Sequence, residues 1–524
     1  MSANLQQGFA ALQAGEAQTA LEIARAQGED PNARYLEGLA LRALGEPASA
    51  LAVFERLSAA HPGMADFPNL AGLCLADLGQ VDDAVDAFER ALTINPGFVH
   101  GAFNMGRTLA EAGRLEAAIL AYQRALEMDA GHLPSRRNLA WCLMGAHNPA
   151  QAEIEADAAL EAAPHDPLSL SVKAAALIDR KAFKEAADLV DARLAPDATA
   201  VNAALALGKR GEALEKAGEF DAAFAAWAQA NQRLKSRFSP NFETQTGGFS
   251  LDHVRKLTNW PGGDLAVEAP QDGPAPVFLV GFPRSGTTLI ENVLAAHPDI
   301  ETSDEHPLSS PLIEAAGNTP ETWQAFLDAL AERRNEWRRA YWAGWAKGAP
   351  RPGQVFIDKL PLNLAFTGLL SAVFPDARFI LALRDPRDCV LSAFKQRFGM
   401  NAAMYRMLSL EDAAQYYDAV MQAGTAGLAA VDAGRQTRIR YEDSLADLEG
   451  EARRLIAFLG LDWTDAVMSY RERAKARFIS TPSAPQVIQP LYKSSAGRWW
   501  DYDFALSAVR SVLDPWAEKW GYAD

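Results

Sequence analysis

Apolar positions follow two rhythms along the 524 residues. Up to about residue 236 they return at a fixed step: Gly38, Gly72, Gly106, Ala140 and Ala174 are each 34 apart, as are Ala50, Ala84, Ala118, Ala152 and Ala186. Phe54, Phe88 and Tyr122 keep the same step, and Pro62, Pro96 and Pro164 close units. A repeat of this length is one helix–turn–helix. Its small residues let paired helices approach, and its aromatic fills the gap between neighbouring pairs. Units begin near residues 31, 65, 99, 133 and 167. A sixth, with Gly211, Gly218, Ala223 and Trp227, starts near 204 after a three-residue slip, and residues 5–28 form a shortened first unit or cap.

From residue 276 the rhythm changes to short apolar runs separated by helical spacing. Residues 277–280, bounded by turn formers, read as a buried parallel strand, with a helix following through Leu294. Further strands are expected at 355–359, 378–383 and 437–441, and a helical stretch at 323–345. Pro386 fits the first turn of a helix with Asp385 as its N-cap. Leu445, Leu448, Ala452, Leu455, Ile456 and Leu459 keep helical spacing until Gly460 stops it. Strands alternating with helices imply a parallel sheet covered on both faces, with ligands at the strands' C-terminal ends. Between Ser239 and Pro276 turn residues gather, as in a connector with a short helix near 250–258. The expected organisation is therefore multidomain: an all-α solenoid over 1–236, a linker over 237–275, and an α/β parallel-sheet domain of phosphate-loop type over 276–524.

Composition narrows the setting. The chain is 49% hydrophobic and 22% charged, with no apolar run of membrane-spanning length. Its first residues show neither a positive n-region nor a long apolar stretch, so no signal peptide is expected. Cys74, Cys142 and Cys389 are too scattered for a disulfide framework or a metal knuckle, which favours a reducing, cytoplasmic compartment. A net charge of −17 argues against non-specific nucleic-acid binding, though not against a local basic pocket for an anion. His100, His132, His147 and His165 lack metal-ligand spacing and read as surface or packing residues.

The candidate chemistry centres on Gly281-x4-Gly286-Thr287-Thr288, a glycine-framed loop between strand and helix. Such a loop aims backbone N–H groups and a helix N-terminus at one point, as phosphate cradles do. The spacing is close to G-x4-G-K-[ST], but Thr287 stands where the lysine would be and the nearest cation is Arg284. A metal-bound triphosphate is poorly served by this set, while a compact 5′-phosphate ester suits it; the bland reading is an ordinary strand-to-helix turn. Asp304-Glu305-His306 follows in a loop beside it, and Lys359 and Arg384 occupy strand ends that can converge on it. The basic stretch 333–339 reads as a solvated helix face or a contact for an anionic acceptor.

Pro283-Arg284-Ser285-Gly286-Thr287-Thr288 resembles the 5′-phosphosulfate loop of sulfotransferases that use 3′-phosphoadenosine 5′-phosphosulfate (PAPS), in particular the tyrosylprotein branch. The N-terminal repeats resemble tetratricopeptide (TPR) units, arrays that present a concave groove. The groove implies binding of an acceptor or partner, or a scaffold that only oligomerises or solubilises the enzyme. The resemblance implies that Arg284, Ser285, Gly286, Thr287 and Thr288 bind the 5′ side of PAPS. Arg384 and Ser392 resemble the 3′-phosphate segment, where the bland reading is an Arg–Asp pair capping a helix. Tyr441 falls in a strand matching a cofactor-contacting Tyr-Glu-Asp segment, and Ser483 with Gln486 to Pro490 resembles a cofactor-covering segment. Arg498 stands there in place of a lysine, and Gln396 where the tyrosylprotein branch carries arginine. Glu305, nineteen residues after Gly286, matches the family's catalytic base, with His306 and Asp304 as alternatives; Lys359 and Ser483 would stabilise the leaving oxygen. The implied reaction is sulfuryl transfer to a hydroxyl of a protein tyrosine, a glycan or a small molecule, without a metal. Rival readings are a small-molecule kinase and a non-catalytic TPR adaptor.

Overall fold

The computed structural model describes residues 2–261, 273–351, 353–476 and 496–522. By contacts the chain falls into two compact units, Met1–Ala217 and Gly218–Asp524. Among the described residues no helix is long and apolar enough to cross a membrane.

The first unit is a succession of helix pairs. It opens with α1 (Ala3–Gln13) and α2 (Ala17–Ala26), α3 (Pro31–Ala43) and α4 (Pro47–Ala60), and α5 (Asp66–Asp77) and α6 (Val81–Ile94). It continues with α7 (Val99–Glu111) and α8 (Leu115–Met128), α9 (Leu133–Gly145) and α10 (Pro149–Ala162), then α11 (Pro167–Asp179) and α12 (Phe183–Arg193), ending in α13 (Ala200–Lys216). Helix starts follow local chemistry: Asp30 and Asp166 cap α3 and α11 by accepting from Asn32 and Ser169 N–H, each with proline in the first turn. The 34-residue small positions are close approaches. A Cβ on Gly38 would stand 2.6 Å from the Phe54 ring, and Gly72 and Gly106 meet Phe88 and Tyr122 in the same way. The aromatic thus seats on the glycine of its own pair, where the sequence reading put it between neighbouring pairs. Phe54 is fully buried, and truncating such a residue to alanine costs about 3–5 kcal/mol. One continuous apolar core runs from Leu5 to Val172.

The second unit begins with α14 (Phe220–Phe242) and α15 (Leu251–Leu257). Strand β1 (Val277–Gly281) leads into α16 (Thr287–Ala295) and β2 (Ile300–Thr302), then α17 (Ser310–Ala316), α18 (Pro320–Asp328) and α19 (Leu330–Ala343). After β3 (Val355–Lys359) come α20 (Thr367–Val373), β4 (Arg378–Leu383), α21 (Pro386–Lys395), α22 (Ala402–Arg406) and α23 (Leu410–Leu428). The chain then forms β5 (Gln436–Arg440), α24 (Tyr441–Ala446), α25 (Leu448–Leu459) and α26 (Tyr470–Ala476), and after residue 496 α27 (Asp503–Leu506) and α28 (Arg510–Lys519).

The sheet is parallel throughout, in the order β2-β3-β1-β4-β5. Val277, Leu279, Ile357, Ile380 and Ala382 share one core with Ile290, Val293 and Leu294 of α16 and Leu455 and Ile456 of α25. Alternation puts Phe278 on the other face, its ring 5.2 Å from Phe379 and 6.3 Å from Tyr341. Both faces are covered, so β1 is apolar and buried at every position.

Several local expectations are corrected. Three-residue β2 forms where only a helix end and loop were read. The helical stretch 323–345 is two helices, α18 and α19. Within its basic part Arg334 and Arg338 are buried, and Arg338 pairs with Asp376 at 3.0 Å, donates to the Gly273 carbonyl and covers the Phe374 ring. Tyr441 is not in the strand but opens α24. The sequence reading carries the repeats to residue 236, whereas contacts group α14 with the second unit. Residues read as linker are partly built in: Trp260 lies 5.5 Å from Trp323, and Tyr416 donates to the Phe249 carbonyl.

Candidate active site

The loop after β1 turns through backbone that most residues avoid. Arg284 has φ 74° and Gly286 φ 95°, both left-handed. A Cβ on Gly286 would stand 2.7 Å from the Tyr441 ring, so close approach and conformation both call for glycine. Thr287 and Thr288 open α16, and the first N–H groups of a helix have no intrahelical acceptor. Ser285 Oγ is buried and has no hydrogen-bond partner among the described residues. Backbone donors at a positive helix end, with the Ser285 hydroxyl beside them, fit a phosphate or phosphosulfate group.

Two arginines and a serine meet beside this loop. Arg284 Nε donates to Ser392 Oγ at 3.0 Å, and Arg384 Nη1 donates to the Arg284 carbonyl at 3.2 Å. The Arg384 guanidinium also covers the Tyr441 ring at 5.0 Å and approaches Asp388 at 3.7 Å. Arg384 follows β4 and Ser392 lies on α21, whose N-cap Asp385 accepts from Arg387 N–H. The structure therefore brings Arg284, Arg384, Ser392, Gly286 and Tyr441 together.

On the other side of β1, the end of β3 carries an ion cluster. Lys359 Nζ lies 2.9 Å from Glu305, 3.2 Å from Glu291 and 3.3 Å from Asp304. Backbone bonds stitch the 303–305 loop to β3: Ser303 N–H donates to Ile357 and Glu305 N–H to the Lys359 carbonyl, at 3.1 and 2.9 Å. Asp304 and Glu305 have φ 47° and 65°, which removes the side-to-side alternation of an extended loop and lets both carboxylates reach Lys359. His306 instead bonds the Ser303 carbonyl through Nδ1 at 2.6 Å and sets its ring edge-on to Trp345. Burial pushes the Lys359 ammonium down, but the three carboxylates outweigh it and hold its pKa above the ordinary value. Burial raises Glu291.

Sequence reasoning missed Glu291, Asp388 and Glu442. Glu291 lies within the apolar run of α16, and its partner Lys359 is distant in sequence. Asp388 accepts from Gly497 N–H at 2.7 Å and Trp499 N–H at 2.9 Å, fixing the chain on either side of Arg498. Arg498 itself pairs with Asp501 at 2.9 Å and covers the Phe220 ring. Glu442 accepts from Asp385 N–H at 3.1 Å and so steadies the turn after Arg384. Ser483 and the 486–490 segment lie outside the described residues.

Comparison with known proteins covers both parts. Residues 276–465 match the sulfotransferase family, and residues 5–65, 35–98, 70–132 and 109–176 match tetratricopeptide repeats. An uncharacterized protein of Aquifex aeolicus is 24% identical over 342 residues, covering 63% of this chain and 44% of that protein. Protein-tyrosine sulfotransferase 1 of Danio rerio is 28% identical over 273 residues, 47% of this chain and 72% of the relative. The chain thus spans less than half the length of the first of these relatives. The sulfotransferase domain of the Synechococcus PCC 7002 olefin synthase covers 48% of this chain at 19% identity with a TM-score of 0.34, and 98% of that domain is covered. Residues 276–465 form a domain of the sulfotransferase family, and tetratricopeptide repeats precede it.

Proposed function

We propose that the second unit transfers a sulfuryl group from PAPS to an acceptor hydroxyl. The observation that carries this reading is the Glu305–Lys359 pair, 2.9 Å apart at the end of the strand that adjoins the phosphate loop. The loop N–H groups, Arg284, Ser285, Thr287 and Thr288 hold the 5′-phosphosulfate, while Arg384 and Ser392 hold the 3′-phosphate. Tyr441 and Arg498 belong to the same nucleotide site. As the acceptor oxygen bonds to sulfur, Glu305 takes its proton and the bond from sulfur to the bridging phosphate oxygen breaks. Lys359, with Ser483, meets the charge on that oxygen, and adenosine 3′,5′-bisphosphate departs beside a sulfate ester. Fixed cations and N–H groups aimed at developing charge are the main catalytic resource, and no metal takes part in this scheme.

A protein tyrosine is the first acceptor to test, since relatives carry that name, with glycan and small-molecule hydroxyls next. The repeat groove recruits the acceptor or a partner protein. A cytoplasmic setting belongs to the same proposal, supported by three buried, unpaired cysteines. The test pairs thermal shift with label transfer. PAPS and adenosine 3′,5′-bisphosphate should stabilise the protein more than Mg-ATP, and label from PAPS should pass to an acceptor in the presence of EDTA. Stabilisation by Mg-ATP alone, with activity restored only by Mg²⁺, would replace this reading with a kinase.

A further inference from the structure

Helix α14 carries the signature of the sixth repeat, with Ala223 and Trp227 buried at its small and aromatic positions. Yet its buried face is spent inside the second unit. Phe224 stacks on Phe394 at 5.2 Å, and Lys395 sits 4.6 Å over the Trp227 ring. One turn beyond Trp227 lies Asn231, fully buried, whose amide is used at both ends. Its Nδ2 donates to the Phe394 carbonyl at 2.9 Å, and its Oδ1 accepts from Arg397 Nη1.

Both partners flank the C-terminal end of α21, one turn beyond Ser392. The Phe394 carbonyl is among the last four of that helix and has no acceptor role left within it. Without Asn231 this carbonyl would lose its donor, and the Arg397 guanidinium, whose Nε and Nη2 are buried without partners among the described residues, would be left with a 3.4 Å bond from Nη1 to the Gln396 carbonyl. The end of α21 would fray toward Ser392, whose hydroxyl receives Arg284 Nε at 3.0 Å. We propose that Asn231 is a positioning residue that holds the Ser392–Arg284 arrangement ready for the 3′-phosphate of the nucleotide. A helix belonging by sequence to the repeats thereby sets nucleotide discrimination in the second unit. This inference rests on the PAPS reading above.

The test measures dissociation constants of adenosine 3′,5′-bisphosphate and AMP, which lacks the 3′-phosphate, for the full chain. Wild type should prefer the bisphosphate. Asn231→Ala should weaken bisphosphate binding about tenfold, the worth of one well-placed hydrogen bond, and leave AMP unchanged. Asn231→Asp keeps an acceptor for Arg397 and loses the donor to Phe394, so it should fall between the two. It also serves if the alanine variant fails to fold. Lys235→Ala, which breaks the 2.7 Å pair of α14 with Asp412, should leave the ratio intact. A wild-type ratio in a folded Asn231 variant, or equal loss for both nucleotides, overturns the positioning role while the PAPS reading stands. A wild type without preference removes the PAPS reading, and this inference with it.

Discussion

Lys359 is wholly buried, while Glu305, 2.9 Å from its ammonium nitrogen, remains 35% exposed. The pair is thus layered, with the carboxylate outermost. On the proposed reading, an acceptor entering from solvent would meet Glu305 before the ammonium. His306, drawn aside by the Ser303 carbonyl and Trp345, is turned to other work.

Glu305→Gln is accordingly expected to keep PAPS affinity and lower turnover by roughly 10²- to 10⁴-fold, the range for a positioned base. His306→Ala should stay within a few-fold of wild type. Single-turnover kinetics with labelled PAPS would check both, and the reverse pattern would move the base to His306.

Asp358, next to Lys359, is buried and accepts from Tyr341 at 2.8 Å and Ser303 at 3.3 Å. Burial raises its pKa from 3.8 to about 7. Between those values the folded protein holds a proton that the unfolded chain releases, so this contribution to stability is full at low pH and lost as pH rises through about 7. Asp358→Asn does not titrate. Its stability relative to wild type should therefore climb with pH across that window, by at most about 1.4 kcal/mol per unit, and level off above it. Urea midpoints at mildly acidic and mildly alkaline pH would show this; a constant difference would mean that Asp358 is ionised throughout.

Removal of the repeats should depend sharply on where the cut falls. A chain starting at Gly218 keeps α14 and its Asn231 and Trp227 contacts, and should bind adenosine 3′,5′-bisphosphate nearly as the full chain does while turning over the natural acceptor more slowly. A chain starting at residue 237 loses that helix, uncovers Phe394 and should be unstable or bind the nucleotide poorly. Equal behaviour of the two truncations would show that α14 is dispensable. Unchanged acceptor kinetics in the longer one would leave the array a scaffold.

Much of this was legible in advance because it rests on local chemistry. Helix starts at Pro31, Val99, Leu133 and Pro167 coincide with the repeat phase, and Asp385-Pro386 marks the start of α21. The phosphate loop could be read from its glycines. What escaped depends on partners distant in the chain. Strand β2 has only Ile300, Glu301 and Thr302, too few for alternation to register, and it exists because β3 pairs with it. Glu291 sits in an apolar helix face and becomes intelligible only once Lys359 is beside it. Asp304 and Glu305 reach the same ammonium through left-handed backbone, which nothing in their side chains announces.

The crowding of Glu291, Asp304 and Glu305 around one ammonium has a calorimetric consequence. Three carboxyl groups against a single ammonium crowd negative charge at the end of β3. A polyanionic nucleotide arriving nearby adds to it, and the cheapest relief is protonation of Glu291, which burial already favours. Nucleotide binding should therefore be accompanied by proton uptake from solvent. The apparent heat of binding would then differ between phosphate and Tris by the difference in their ionisation enthalpies, and Glu291→Gln would abolish that difference.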